Sequence, residues 1–213
     1  MINLALFGAG RIGHIHGHNV AAHKQANLVA LHDPYQPNAD SLSQALGCQT
    51  MNAAEIFADS SIHGVLVCSA TDTHAELIEQ AVASGKHVFC EKPIDLSLPR
   101  VQQVVANIGS GDITSMVAFN RRFDPQFAKL QQRIASGEIG NVEMVSIISK
   151  DPAPPPIEYI KVSGGLFRDM TIHDFDMARF LLGEEIEEVT AQASCMVDPA
   201  IGEAGDFDTA LVT

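Results

Sequence analysis

Short apolar runs and longer amphipathic stretches alternate along the first 119 residues of the chain. Residues 2–7 form an apolar run, 15–26 can be helical, and 27–31 is a second apolar run that ends in His32-Asp33. Residues 37–46 and 53–57 read as helices, and 64–68 as a strand whose unbroken apolar run marks burial on both faces. A polar turn at 69–74 leads to a helix at 75–84 that Gly85 stops. A strand at 86–90, a helix at 98–107 and a last strand at 114–119 follow. Repeated strand–helix alternation predicts an α/β domain over residues 1–119, built on a doubly wound, mostly parallel sheet.

From Asn120 the rhythm changes. Asn120-Arg121-Arg122-Phe123-Asp124-Pro125 is a polar knot, and 125–136 reads as a helix with Phe127, Leu130 and Ile134 at helical spacing. Residues 142–149 are strand-like, and Pro152 with Pro154-Pro155-Pro156 excludes regular structure from the stretch after Lys150-Asp151. That stretch is either a stiff loop laid over a site or a plain linker. Ser163-Gly164-Gly165 then opens a helical pattern that Gly183 stops, 185–196 reads as a long strand, and 208–213 begins a third. Residues 120–213 are therefore expected to form an α+β domain with an open, mostly antiparallel sheet. Because the last strand is cut short at Thr213, a continuation of the chain or a partner over the sheet edge is expected.

Charge narrows the classes of function. The 213 residues carry 26 acidic against 13 basic side chains, a formal net charge of −13. Nucleic acid and anionic membrane both need clustered Lys and Arg, so neither is an expected partner. No apolar run approaches the ~18 residues of a membrane span, and the N-terminus lacks the basic start and cleavage site of a signal peptide. Cys48, Cys68, Cys90 and Cys195 form no CxxC pair and read as buried thiols of a reducing cytoplasm.

Candidate chemistry sits at the ends of the predicted strands. Gly8-Ala9-Gly10-Arg11-Ile12-Gly13 follows the first strand directly, with a helix and then a second strand behind it. This is the order of the dinucleotide-binding, or Rossmann, fingerprint. Gly8 permits the tight turn, Gly10 lets backbone approach a pyrophosphate, and Gly13 lets the helix pack close. Arg11 and Ile12 lie in the same turn, at a helix N-terminus that favours phosphate. Asp33, twenty residues after Gly13, would accept both ribose hydroxyls and repel a 2′-phosphate, which favours NAD over NADP. Ser69, Thr71 and His74 lie at the carboxyl end of a later strand, where open α/β sheets bind ligands. Glu91-Lys92-Pro93 ends another buried strand, where opposite charges are costly unless used or paired. His14, His16 and His18 do not converge with a further ligand, so no metal site is expected. Downstream, Asp169, His173 and Asp176 would share one helical face, and an aspartate beside an imidazole fixes its tautomer and raises its basicity.

Taken together, the glycine turn, Glu91-Lys92-Pro93, Asn120-Arg121-Arg122-Phe123-Asp124 and Gly164-Gly165…Asp169…His173-Asp174 resemble the Gfo/Idh/MocA oxidoreductases over essentially all 213 residues. The resemblance is strongest to members that act on inositol. It implies NAD as cofactor, a cyclic polyol or sugar as substrate, and a catalytic set of Lys92, Asp169 and His173. It also implies cofactor contacts from Glu91 and Lys92, and polyol contacts from Asn120, Arg121, Asp151 and His173. Family members usually run well past the position of Thr213 and form homo-oligomers. Two alternatives are another sugar or scyllo-inositol dehydrogenase of the same family, and a non-catalytic NAD-binding sensor.

Overall fold

The structure, a computed structural model, describes residues 1–109 and 112–213. The chain forms two compact units, Met1–Ala118 and Phe119–Thr213. No helix among the described residues is long and apolar enough to cross a membrane.

Unit 1 is a six-stranded sheet in the order β3-β2-β1-β4-β5-β6, with every neighbouring pair parallel. Its strands are β1 (Ile2–Phe7), β2 (Ala26–His32), β3 (Gln49–Thr50), β4 (Gly64–Val67), β5 (His87–Cys90) and β6 (Ser115–Val117). Helices α1 (Arg11–Ala22), α2 (Gln36–Leu46), α3 (Ala53–Ala58), α4 (Thr71–Ala83) and α5 (Leu98–Ile108) connect them. All four residues of β4 are buried, as expected of a central parallel strand covered on both faces. Successive side chains go to opposite layers: Phe7, Val65, Val67 and Cys90 join one apolar cluster, and Leu6, Leu66 and Cys68 join the other. In-register pairing of Phe7 with Val67 and of Val67 with Cys90 brings the carboxyl ends of β1, β4 and β5 level. Everything proposed above for the cofactor lies on that rim.

Two expectations for this unit change. β3 is a strand of two residues, too short to leave a periodic signal. The polar turn after β4 is shorter than 69–74, because α4 already begins at Thr71. Thr71 and His74 therefore belong to the first turn of a helix. The polar residues Thr71, Asp72 and Thr73 look like loop but suit a helix N-terminus.

Unit 2 opens with a 3₁₀ turn at Asn120–Phe123, followed by α6 (Pro125–Ala135). Asp124 caps α6 by accepting the amides of Gln126 at 2.8 Å and Phe127 at 3.3 Å, with Pro125 at the first helical position. Then come α7 (Ile157–Ser163), a π-helix at Leu166–Thr171, α8 (Ile172–Leu182), β7 (Ala191–Ser194), α9 (Pro199–Glu203) and β8 (Thr209–Val212). β7 and β8 pair antiparallel as a two-stranded sheet.

The second half departs further from expectation than the first. The segment 142–149 forms no strand, and the predicted strand over 185–196 is confined to Ala191–Ser194. The antiparallel sheet therefore has two strands where three were expected. A strand persists only where a neighbour accepts its ladder bonds, and none of the described residues pairs with 142–149. Its apolar side chains accordingly face solvent, with Met144 at 85% and Ile148 at 82% exposure. Helix α7, by contrast, is a whole element that the proline run concealed. Pro156 stands at its N-cap and Ile160 is the residue it buries among its apolar side chains.

Candidate active site

The cofactor end of unit 1 is built by two close approaches and one open glycine. Gly8 has φ +100°, and a Cβ there would lie 2.5 Å from the carbonyl oxygen of Cys68. A Cβ on Gly13 would lie 2.0 Å from the carbonyl oxygen of Gly8. Either methyl would force the turn apart, so β1, β4 and α1 can approach this closely only through glycine. Gly10 differs: nothing lies within 4 Å of where its Cβ would be. Gly10 is also the N-cap of α1, and no side chain caps this helix. Arg11 and Ile12 form its first turn, so free amides and the positive dipole end face open space. Amide donors and a positive helix end beside an unobstructed backbone are what a pyrophosphate requires.

Asp33 does more than the sequence suggests. Its Oδ2 accepts the amide of Ala9 at 2.6 Å and its Oδ1 that of Tyr35 at 2.8 Å. The carboxylate thus ties the glycine turn to the end of β2. A carboxylate has about four acceptor positions, so two remain for ribose hydroxyls. Asp33 also lines a cavity of about 180 Å³ with His32, Gln36, Met51, Asn52 and Glu55. Two carboxylates there disfavour a further phosphate.

Of the other rim residues, Ser69 Oγ shares a 2.6 Å hydrogen bond with Thr73 Oγ1 and stays partly accessible, as does Thr71. His74 is turned away. It is 2% exposed, with Nδ1 2.8 Å from the Pro93 carbonyl and Nε2 3.1 Å from the Ser69 carbonyl. Both ring nitrogens are occupied by backbone, so His74 braces the two rim loops from beneath and its cofactor contact is not what the geometry offers. The Lys92–Pro93 peptide is cis.

A contact that spacing could not reveal joins α1 to β5. His16 Nε2 lies 2.7 Å from Glu91 Oε1, and its ring meets Phe89 edge-on at 4.9 Å between centroids. The carboxylate beside Lys92 is thus held by the helix that carries the cofactor turn. His14 and His18 remain together on the outer side of that helix, with ring centroids 6.4 Å apart.

In unit 2, Asp169 lies in the π-helix and His173 in the first turn of α8, so the two sit on one continuous rod with a change of pitch between them. Short π segments recur at functional sites. The Phe119 ring meets the His173 imidazole edge-on, with centroids 6.5 Å apart and planes at 89°. Asp176 does not join them. It is 4% exposed and takes a bidentate pair from Arg122, at 2.8 Å from Nε and 2.5 Å from Nη2. This pair, not the imidazole, is what the second carboxylate on that face serves. The guanidinium also lies 5.2 Å over the Phe180 ring, and Asp176 pushes its pKa further up.

Arg121 and Asp174 form a second ion pair, and Ser149 Oγ donates to the same Asp174 oxygen at 2.6 Å. Asp174 therefore gathers the polar knot, the residue ahead of Lys150-Asp151, and α8. Sequence reasoning placed Arg121 against substrate; the structure engages it with Asp174 and leaves Asn120 and Asp151 exposed. The roles of Asp174 and Ser149 had no signal in the sequence beyond their polarity.

The comparisons with known proteins come to the same family. Residues 2–119 match the model of the Gfo/Idh/MocA oxidoreductase family, NAD-binding Rossmann fold, and residues 127–213 match that family's C-terminal domain. The inositol 2-dehydrogenase of Rhizobium meliloti is 50% identical over 211 residues, covering 99% of this chain and 64% of the relative. The crystal structure of a myo-inositol dehydrogenase from Corynebacterium glutamicum superposes with a TM-score of 0.95 at 47% identity, over all of this chain and 64% of that one. A Lactobacillus casei scyllo-inositol dehydrogenase, crystallised with NAD(H) and scyllo-inositol, gives a TM-score of 0.88 at 31% identity, covering 100% of this chain and 65% of that one. The chain thus spans 64% of the length of the Rhizobium meliloti relative.

Proposed function

The chain belongs to the Gfo/Idh/MocA oxidoreductase family, and from that membership we propose that it is an NAD-dependent dehydrogenase of a cyclic polyol. The substrate reading is myo-inositol, oxidised at one secondary hydroxyl to 2-keto-myo-inositol. The observation that carries the reading is the glycine cradle: open space and free amides at Gly10, closed by Gly8 and Gly13 and tied down by Asp33. The names of the three inositol relatives supply the substrate class.

NAD, when bound, supplies the acceptor for the hydride that leaves the carbinol carbon. The chain's own residues must then manage the hydroxyl proton and the charge on oxygen. His173 takes the proton as general base, since a neutral imidazole is available near pH 7. Asp169 holds the ring in the required tautomer and balances the imidazolium once it forms. Lys92 donates to the same oxygen and stabilises its developing negative charge. Glu91, fixed by His16 at 2.7 Å, keeps the strand end that bears Lys92 from shifting. Asn120 and Asp151, both exposed, are the polyol contacts in this reading. Arg121 and Arg122 act through Asp174 and Asp176, as supports of α8. Four free cysteines support a reducing cytoplasm as the setting. The exposed apolar residues of unit 2, Met144, Ile148, Val189 and Leu211, support assembly as a homo-oligomer.

The test is NAD reduction against a panel of inositols and aldoses, with His173→Ala as the comparison. The unmodified protein should turn over an inositol, and the variant should bind NAD equally by calorimetry while losing turnover by about 10²–10⁴-fold. Binding of NAD without turnover of any polyol would reject the enzyme reading in favour of an NAD sensor.

A further inference from the structure

The π-helix that carries Asp169 has an unusual start. Gly164 has φ +92° and Gly165 φ +71°, and no side chain of its own segment caps the helix. The cap comes from 40 residues away. The Asp206 carboxylate accepts the Leu166 amide through both oxygens, at 2.9 and 3.2 Å. Glycine at position 165 leaves room for that approach: a Cβ there would fall 2.4 Å from the carboxylate carbon, and the carboxylate would have to shift. The other end of the same residue is held too, since Thr171 Oγ1 donates to the Leu166 carbonyl at 2.8 Å. Thr171 stands midway between Asp169 and His173 in sequence.

Asp206 is itself fixed. Its amide donates to the Ile201 carbonyl at 3.1 Å, and its carbonyl accepts from Cys195 Sγ at 3.2 Å. The next residue, Phe207, meets Phe167 edge-on at 6.3 Å. Two independent contacts therefore press the turn before β8 onto the first residues of the π-helix. A helix start left uncapped frays, and fraying here would move Asp169 relative to an α8 that is anchored separately by Arg122 and Asp176.

We propose that Asp206 is a positioning residue for the Asp169–His173 pair: through Leu166 and Thr171 it fixes the pitch of the π-helix and so the orientation of the imidazole. This rests on the assignment of His173 as the base, and deepens it by naming what holds the base in place.

Two readouts separate the clamp from the enzyme reading. The first is kinetic. Asp206→Ala should lower kcat at least tenfold with NAD affinity unchanged within about twofold. Asp206→Asn, which keeps an oxygen facing the Leu166 amide, should recover to within about threefold. The second needs no turnover: imidazole NMR titration of the protein without substrate, with His173→Gln to assign the His173 signal. Asp206→Ala should shift the titration midpoint of His173, and Asp206→Asn should restore it. Thr171→Val removes the other end of the relay with little change in shape and should shift the same signal, which keeps the test open if Asp206→Ala folds poorly. An unmoved His173 titration in both Asp206→Ala and Thr171→Val would overturn the clamp, whatever the assay shows. A shifted titration in a protein that turns over no polyol would uphold the clamp and reject the enzyme reading.

Discussion

The two units are held by different forces. Unit 1 is a layered apolar core in which Phe7, Ile56, Ile78, Val67 and Val104 are essentially removed from water. Its ion pairs, such as Glu79 with Arg100, lie at the partly exposed margin of that core. Unit 2 has few apolar side chains of that kind, Ile160, Met177, Leu181 and Ile201 among the described residues. Its fixed points are carboxylates: Asp176 on Arg122, Asp174 on Arg121 and Ser149, Asp206 on Leu166, and Asp208 on a turn. Apolar burial is non-directional and gives a rigid platform that tolerates volume-conserving apolar swaps but not the loss of a side chain. Carboxylates that grip particular amides and guanidiniums set orientation, which is what the base role proposed for His173 requires. The platform suits the cofactor, and the gripped helices suit the chemistry.

The largest effect expected from breaking this contrast is in the core of unit 1. Ile78→Ala removes a side chain 1% exposed and should cost about 2–5 kcal/mol. Hydrogen exchange read by mass spectrometry should show protection lost across β1, β4 and β5 while α8 keeps its own. Equal loss in both units would show that they unfold as one body and that the contrast has no energetic meaning.

A smaller effect is expected at the Arg122–Asp176 pair. Cutting a fully buried pair costs about 3–5 kcal/mol and an exposed one close to nothing. Here Asp176 is buried and Arg122 is 37% exposed, so the released guanidinium can hydrate. Asp176→Ala should cost about 1–3 kcal/mol, seen as lost exchange protection in α8 and α6 and not in the parallel sheet. A change below the precision of that measurement would mean the pair contributes nothing, and unit 2 would need another explanation.

The same contrast governs what could be read in advance. Burial leaves a periodic trace, so β1, β4, β5 and the helices between them were legible from apolar runs, and the glycine turn from local geometry. Lys86 shows the limit: it reads as the charged start of a strand, yet it is 2% exposed, with Nζ donating to the carbonyls of Asp59 and Ile62. Burial lowers its pKa, although Asp59 nearby acts in the opposite direction. Most of the carboxylate anchors of unit 2 pair over 25 to 54 residues, such as Ser149 with Asp174 and Arg122 with Asp176. Spacing along a chain carries no sign of which carboxylate meets which donor. The block of Asp169, His173 and Asp174 was therefore visible as a motif, while the partners that fix it, Arg121 and Ser149 on Asp174 and Asp206 on Leu166, were not.

The smallest effect, and the most specific, concerns Asp208. Its carboxylate accepts the amides of Met196 at 2.8 Å, Val197 at 2.9 Å and Asp198 at 3.0 Å, and the Thr209 hydroxyl at 2.8 Å. These donors, the Asp198 and Met196 amides foremost, hold its pKa far below the ordinary aspartate value. The sign follows from linkage: a carboxyl whose folded pKa is depressed adds stability above its unfolded pKa of about 3.9, and that stability is lost as pH falls below it toward the folded value. The β7–β8 hairpin should therefore weaken between about pH 4 and 2. Carboxylates elsewhere are also depressed, Glu79 by Arg100 in unit 1 and Glu185 by Arg179 in unit 2, so acid alone does not isolate Asp208. Asp208→Asn does. It should weaken the hairpin at neutral pH and flatten its acid response, with the response of the Glu79 surface unchanged. An acid profile for the hairpin amides identical in the variant and the unmodified protein would remove Asp208 from the forces that hold unit 2, and with it the claim that oriented carboxylates take the place of a core there.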